Sequence, residues 1–416
     1  MRRIPGRIRH WVTGANSALK YLGPGLLVTV GFIDPGNWAS NLAAGSSFGY
    51  SLLWVVTLST MMLILLQHNA AHLGMVTGMC HAEAAKQHLP GWIAQPVLGS
   101  AMMAAVATAF AEILGGAIAL TMLFHLPLLI GAVLCTALAL YLLFESSYKK
   151  LERIIIGFVS LIGLSFLIEL LIVKWDVLHT AAGLFVPAIP HGSMVIVMSV
   201  LGAVVMPHNL FLHSEVIQSR QWRKEGEPFL RRHLRLEIFD TFFSMIVGWA
   251  INSAMIILAA ATFFKTGINV DSLDQAESLL RPIAGRVSSY IFAIALLFSG
   301  IASSVTAGMA GGTIFTGMFG KEYDVKTRHT AAGVAITLVG GFICILFVTN
   351  TYTALIVSQM LLSIQLPITV CLQIYLTTSK KVMGDYANSL FDLISLWLVA
   401  AIVIVLNIML LFSMFR

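Results

Sequence analysis

Long apolar runs separated by short polar segments recur along the chain from Tyr21 to Phe415. Dividing them at clusters of polar residues, Gly or Pro gives about eleven helices of spanning length, roughly 20 residues each. The polar gaps are too short to hold a separate soluble domain. The pattern predicts an all-α polytopic membrane protein with helices near 21–46, 51–73, 97–124, 127–144, 154–173, 193–218, 238–263, 287–319, 329–348, 351–377 and 388–414.

Composition agrees with a chain whose main solvent is lipid. Hydrophobic residues make up 58% of the 416 residues and charged residues only 11%, and the mean hydropathy is +0.88. These values exclude an ordinary water-soluble domain. The basic segment 1–20 has no small-residue cleavage site, so we interpret it as a cytoplasmic N-terminal tail rather than a signal peptide.

The positive charges predict an orientation. If the N-terminus is cytoplasmic, 20 of the 25 Lys and Arg residues fall on the inner side, as the positive-inside tendency requires. The net charge of +6 is thereby explained, and no basic patch remains to indicate a nucleic-acid partner. The longest polar segment, 219–237, is predicted to be a cytoplasmic connector. We expect a multi-pass protein of the bacterial inner membrane.

Two predicted helices carry helix-breaking residues near mid-membrane. The first contains Asp34-Pro35-Gly36-Asn37, and the sixth contains Met206-Pro207-His208-Asn209. Such breaks persist in a bilayer where the freed backbone groups face protein or a cavity. Matched breaks in the first and sixth helices indicate a 5+5 inverted repeat with a midplane binding site. A single transport domain, 21–377, would then comprise repeats 21–173 and 193–377, followed by an additional helix, 388–414.

Asp34 is the strongest candidate for a site residue. A carboxylate at mid-membrane costs several kcal/mol unless it has a partner, and no Lys or Arg lies within any apolar span. A proton or a cation is left. Asp34 and Asn37 offer hard oxygens, and Met206 offers a thioether, which late first-row ions tolerate better than Mg2+ or Ca2+ do. Core packing of Met206 and a simple kink at Pro207 remain open alternatives.

The other polar residues of the apolar segments predict little chemistry. Among the buried acids only Glu112 lies deep in a span, whereas Glu169, Glu215 and Asp240 lie near helix ends, where capping or an interface explains them. His68 and His72 have zinc-compatible spacing but lack a catalytic glutamate. The chain contains no HExxH motif, so an intramembrane metallohydrolase is not indicated. The cysteines form no CxxC pair and are expected to be packing residues, namely Cys80, Cys135, Cys344 and Cys371.

The paired motifs Asp34-Pro35-Gly36-Asn37 and Met206-Pro207-His208 resemble the Nramp (natural resistance-associated macrophage protein) family of proton-coupled divalent metal transporters. The similarity extends over nearly the whole chain, through segments 22–24, 49–50, 77–78, 110–112, 213–214 and 363–367. The resemblance implies a LeuT-like fold and alternating access driven by a proton gradient. It also implies that Mn2+ or Fe2+ is cargo, with no resident cofactor and no enzymatic activity.

The resemblance assigns roles to individual residues. The implied metal ligands are the side chains of Asp34, Asn37, Met206 and Gln365 and the backbone carbonyls of Gly31 and Ala203. His208 and His213 match histidines that the family associates with pH dependence and gating, and Glu112 matches a carboxylate of the proton route.

Two departures from the family pattern affect the proton route. Ala109 stands where an aspartate is common, and Ile301 stands where a glutamine is common. We expect metal ligation to survive both changes, whereas the proton relay lacks a member. An uncoupled metal carrier, a passive channel and a relative that carries another cation, such as Mg2+, are the alternatives. The sequence carries no signal for the oligomeric state.

Overall fold

The computed structural model describes residues 34–145, 163–220, 226–268, 270–280, 285 and 288–415, and this part of the chain is helical and contains no β-strand. We number its α-helices in chain order. They are α1 Pro35–Phe48, α2 Leu53–Thr77, α3 His81–His88, α4 Gly91–Phe124, α5 Leu128–Phe144, α6 Gly163–Ile172, α7 Val177–Phe185, α8 Met194–Val204, α9 Pro207–Gln218, α10 Glu227–Thr262, α11 Ser288–Met318, α12 Arg328–Ile345, α13 Thr351–Thr378, α14 Lys380–Met383 and α15 Leu390–Met414.

The predicted membrane helices are largely present. Within the described residues, eight helical segments are long and apolar enough to span a membrane, and α5 and α6 are shorter apolar helices. The predicted first helix is described only from Asp34 onward and the fifth only from residue 163. The tail 1–20 and Gly31 lie outside the described residues. The all-α polytopic class is therefore confirmed, while the count of eleven stays a prediction.

Each mid-membrane motif begins a helix. Asp34 is the N-cap of α1, and Pro35 takes the first helical position. Met206 is the N-cap of α9, and Pro207 follows it. Proline suits this position because its missing N–H would be unpaired there anyway and its ring presets the helical φ. The sixth predicted helix is accordingly two half-helices, with α8 ending at Val204.

Several boundaries differ from those that hydropathy predicts. α10 begins at Glu227, so most of the predicted connector 219–237 is helix. Likewise α4 begins at Gly91 and not near residue 97, and α3 and α7 are short helices within predicted loops. Hydropathy marks the length of helix that lies in lipid, and a helix that continues into a polar region loses that signal without losing its hydrogen bonds.

Small residues bring the two helix breaks against α13 and α4. Gly36 of α1 and Gly202 of α8 both lie so close to Gln359 of α13 that a Cβ on either would overlap it. Gly115 of α4 meets the ring of Pro35 in the same way. Close approach through glycine is a common means of packing membrane helices, since lipid supplies no hydrophobic drive between them. The broken helices are therefore held at the centre of the bundle.

Candidate metal-binding site at the helix breaks

Asp34 and Asn37 form a buried polar unit at the start of α1. The Asn37 backbone N–H donates to Asp34 Oδ1 at 2.6 Å, and Asn37 Nδ2 donates to Asp34 Oδ2 at 3.0 Å. Both residues are almost wholly inaccessible. The hydrogen bonds orient the carboxylate but do not neutralise it. No salt bridge joins Asp34 to a basic residue in the described part of the chain.

Asn37 also joins the two broken helices directly. Its Nδ2 donates a second hydrogen bond, 3.0 Å long, to the backbone oxygen of Ala203 in the last turn of α8. Both amide hydrogens are thus used, and Asn37 Oδ1 is buried without a hydrogen-bond partner. An unsatisfied buried acceptor costs about 1–3 kcal/mol. A cation bound by the Asp34 carboxylate, Asn37 Oδ1 and the Ala203 carbonyl would remove this cost.

Met206 lies at the same break, three residues after Ala203. Its side chain is 3% exposed and packs with Ala104 of α4 and Leu362 of α13. Asn209 Nδ2 contacts the Met206 sulfur at 3.2 Å. The Met206 side chain therefore packs between α4 and α13, at the break that follows the contact of Asn37 with Ala203.

Glu112 of α4 lies near this junction. It is fully buried, and neither carboxylate oxygen has a hydrogen-bond partner. Its charge interacts with that of Asp34, and Gly115, one turn later, contacts the Pro35 ring. Two close carboxylates in a medium without water are not both ionised unless a cation lies between or beside them. Asp34 and Glu112 are therefore candidate positions for a bound proton or cation.

His208 connects to Glu112 through α4. His208 Nδ1 lies 3.2 Å from the Thr108 hydroxyl, and that hydroxyl donates to the Ala104 carbonyl at 3.1 Å. Because the Thr108 proton is committed to Ala104, the consistent arrangement has His208 Nδ1–H as the donor. Thr108 and Glu112 are one helical turn apart on α4. His208, Thr108 and Glu112 thus form a polar line on one face of α4.

His213 belongs to a different group of side chains. Its Nε2 lies 3.9 Å from Glu237 Oε1 of α10, while His68 Nδ1 of α2 lies 2.6 Å from Glu237 Oε2. Glu237 also accepts a hydrogen bond from Thr241. His68, one of the two histidines with zinc-compatible spacing, is therefore held against Glu237 of α10.

Gln365 is engaged elsewhere on α13. Its Nε2 donates to Ser100 of α4 at 3.1 Å, and its Oε1 accepts from Thr369 at 2.9 Å. Six residues separate it from Gln359, which means roughly 9 Å along the helix and about 120° around it. Gln359 is the glutamine that touches Gly36 and Gly202 at the two breaks.

Sequence reasoning missed Gln359. The residue is completely buried, and its Oε1 has no hydrogen-bond partner, so it adds an oxygen acceptor beside the Asp34 unit. The signal was available, since an amide in the middle of an apolar span needs a partner. However, α13 contains three buried glutamines, Gln359, Gln365 and Gln373, and the sequence alone does not show which of them faces the helix breaks.

The two departures from the family pattern occupy helix contacts. Ala109 is fully buried, and its Cβ lies against Gly341 of α12, where the backbones of α4 and α12 approach closely. Ile301 follows Gly300, whose Cα faces the backbone of Glu112 and Gly116. A carboxylate at position 109 would have little room, so its absence agrees with the packing of α4 on α12.

Two discontinuous helices lie inside an all-helical bundle and carry a carboxylate, an amide, a backbone carbonyl and a thioether at their breaks. This arrangement defines a polytopic membrane protein with the architecture of secondary transporters. The sequence matches the family described as natural resistance-associated macrophage protein-like over residues 25–413. The chain belongs to the Nramp family.

Curated relatives match almost end to end. The divalent metal cation transporter MntH of Caldanaerobacter subterraneus is 37% identical over 404 residues, covering 95% of this chain and 93% of that protein. The protein of the same name from Bacillus subtilis is 33% identical over 417 residues, covering 99% and 96%.

Solved structures agree on the fold. The Eremococcus coleocola manganese transporter superposes with a TM-score of 0.80 at 27% identity, covering 95% of this chain and 86% of that one. Mhp1, a nucleobase-cation-symport-1 family transporter, superposes with a TM-score of 0.63 at 15% identity, covering 89% and 80%. At that identity the second match shows the fold alone, and it confirms the LeuT-like architecture.

Proposed function

We propose that this protein imports divalent transition-metal ions, such as Mn2+ and Fe2+, by alternating access around the helix breaks. The observation that carries the proposal is the buried Asp34–Asn37 unit joined to the Ala203 carbonyl, because it holds a charge and an unpaired acceptor that only a cation or proton can satisfy. The curated relatives bear the name divalent metal cation transporter. The metal is cargo and not a resident cofactor, and no enzymatic role is proposed.

Proton symport is the second part of the proposal. The supporting groups are Glu112, which is buried one helical turn before the glycine of α4 that meets Pro35, and His208, which contacts Thr108 one turn before Glu112. The proton partner and the metal would compete for the same pair of carboxylates. An uncoupled carrier would use the same ligands without this exchange. The positive-inside pattern supports a cytoplasmic N-terminus in a bacterial inner membrane.

The test is Mn2+ uptake into proteoliposomes that contain a pH-sensitive dye, with excess Ca2+ or Mg2+ as competitors. We expect Mn2+ entry with internal acidification and little competition. Entry without acidification would favour the uncoupled carrier, and absence of Mn2+ uptake would refute the assigned cargo. In Met206→Ala, loss of the thioether is expected to weaken the rejection of Ca2+ and Mg2+. Unchanged rejection would assign Met206 to packing.

We further propose Gln359, in place of Gln365, as the α13 ligand. A Cβ at Gly36 would meet the end of the Gln359 side chain and not its backbone, so the amide can move aside while the helices stay packed. Gly36→Ala is therefore expected to raise the KM for Mn2+ by about 10-fold, the effect of disturbing a ligand's surroundings.

The matched control for this substitution is Gly99→Ala in α4, where a Cβ meets open space. Gln359→Ala should reproduce the effect of Gly36→Ala in the uptake assay, and Gln365→Ala should leave KM near the wild-type value. A rise in KM for Gln365→Ala alone would restore Gln365 as the ligand.

A further inference from the structure

A second group of metal-ligand side chains lies at the far end of α9. The Sγ of Cys80 and one carboxylate oxygen each of Glu83 and Glu215 lie within 4.8 Å of one another. The exposed fractions of the three residues are 1%, 8% and 8%. Nine residues separate Glu215 from Met206, or roughly 13 Å along α9, so this group is distinct from the central site.

The ligand group is built from two helices, α3 and α9. Cys80 is the N-cap of α3, and its backbone N–H donates to Glu83 Oε2 at 3.1 Å, as in a capping box. Gln218 at the end of α9 donates to the same oxygen at 2.8 Å. The His81 backbone N–H donates to the Ser214 hydroxyl at 3.1 Å and fastens α3 to α9. The ligand atoms are therefore positioned by backbone geometry.

The side chains of this second group offer more hydrogen-bond acceptors than donors. Glu83 Oε1, Glu215 Oε2 and Gln218 Oε1 are buried with no hydrogen-bond partner. None of the salt bridges found among the described residues involves either carboxylate. The nearby Glu322 adds a further negative charge. Within the described part of the chain this buried carboxylate pair has no salt-bridge partner, which is costly, and a divalent cation would supply a counter-charge.

Helix capping does not account for Glu215. It lies in the last turn of α9, where the helix dipole disfavours an anion. Cys80 packs in a hydrophobic cluster, and its thiol also lies within 4.8 Å of one oxygen of each carboxylate. Binding of a metal ion would displace that thiol proton.

We propose that Cys80, Glu83 and Glu215 bind a divalent transition-metal ion through one thiolate and two carboxylates. A thiolate favours Zn2+, Cd2+ or Co2+ over Mg2+ and Ca2+. The site goes beyond the proposed transport function and does not depend on it. It places a second bound ion at the opposite end of the half-helix that begins at the central site.

The test is a Cd2+ titration of the purified, reduced protein, followed through the ultraviolet thiolate-to-metal charge-transfer absorption. The exposed cysteines Cys344 and Cys371 are first replaced by serine to remove adventitious binding. We expect one thiolate-bound Cd2+ per chain in this background. The absorption should persist in Cys135→Ser, which removes a buried cysteine outside the group, and in Asp34→Asn, which removes the central charge.

Cys80→Ser should abolish the absorption while preserving the fold, because serine is a favourable N-cap residue. Glu215→Gln and Glu83→Gln, which keep the side-chain shape, should each weaken Cd2+ binding by at least about 10-fold. No absorption in the background protein, absorption that survives Cys80→Ser, or unchanged affinity in both glutamine variants would overturn the proposal. Asp34→Asn distinguishes a failure of this second site from a failure of the central site, because it changes only the central site.

Discussion

Replacement of Asp34 with asparagine is expected to abolish Mn2+ uptake. Asparagine can still cap α1 and accept the hydrogen bond from the Asn37 N–H, because Asn and Asp are comparable N-cap residues. What it removes is the negative charge at the helix breaks. Loss of a partner that merely orients a metal ligand costs 10–100-fold in affinity, so loss of a charged ligand should reduce Mn2+ affinity and uptake by at least about 100-fold.

The measurement pairs isothermal titration of purified protein with uptake into proteoliposomes. Asp271→Asn is the matched control, since it makes the same change at an exposed carboxylate and should behave as the wild type. Size-exclusion profiles of both variants check that they are folded. Wild-type uptake kinetics in a folded Asp34→Asn protein would rule out Asp34 as a metal ligand.

Replacement of Gly202 with alanine is expected to destabilise the folded protein strongly. At this position in α8 a Cβ would overlap the backbone carbonyl oxygen of Gln359, and the backbone N–H of Ser363 lies 2.9 Å away. No rotamer change can relieve a clash with backbone, so α8 and α13 would have to separate. Overpacking of this kind typically costs 1–3 kcal/mol, and we expect the upper end, about 3 kcal/mol, because two backbones are involved.

Thermal unfolding of the detergent-solubilised protein measures this effect. Gly99→Ala is the control, because it places a methyl group in open space on α4 and exchanges glycine for a better helix former. Its unfolding temperature should equal or exceed that of the wild type. Equal unfolding temperatures for Gly202→Ala and the wild type would mean that α8 and α13 do not approach as closely as described.

The substitutions of Gly202 and Gly36, which both contact Gln359, separate an effect on stability from an effect on transport. In Gly202→Ala the added methyl group would clash with the backbone of Gln359, whereas in Gly36→Ala it would clash with the end of the Gln359 side chain. One residue of α13 therefore packs against α8 through its backbone and lies beside α1 through its amide. We expect the first variant to unfold at a lower temperature and the second to keep its stability but show a higher KM for Mn2+.

The sequence by itself determined the features that a bilayer enforces locally. Apolar runs of spanning length must be helices, and proline next to polar residues at Asp34-Pro35 and Met206-Pro207 indicated where two of them break. Proline alone did not decide this, because Pro96 and Pro367 lie inside continuous helices. Both interruptions begin helices in the structure. The ligand types at the breaks, including Asp34, Asn37 and Met206, were readable from the same motifs.

Only the tertiary structure decided which residues meet across helices. The rotation of α13 puts Gln359, and not Gln365, against the breaks, while the contact of Ala109 with Gly341 explains a small residue where a carboxylate was expected. Cys80 and Glu215 are far apart in the chain and gave no shared motif, yet the fastening of α3 to α9 brings their ligand atoms together. Helix periodicity and breaks are local properties, whereas a site assembled from several helices depends on their mutual rotation and spacing.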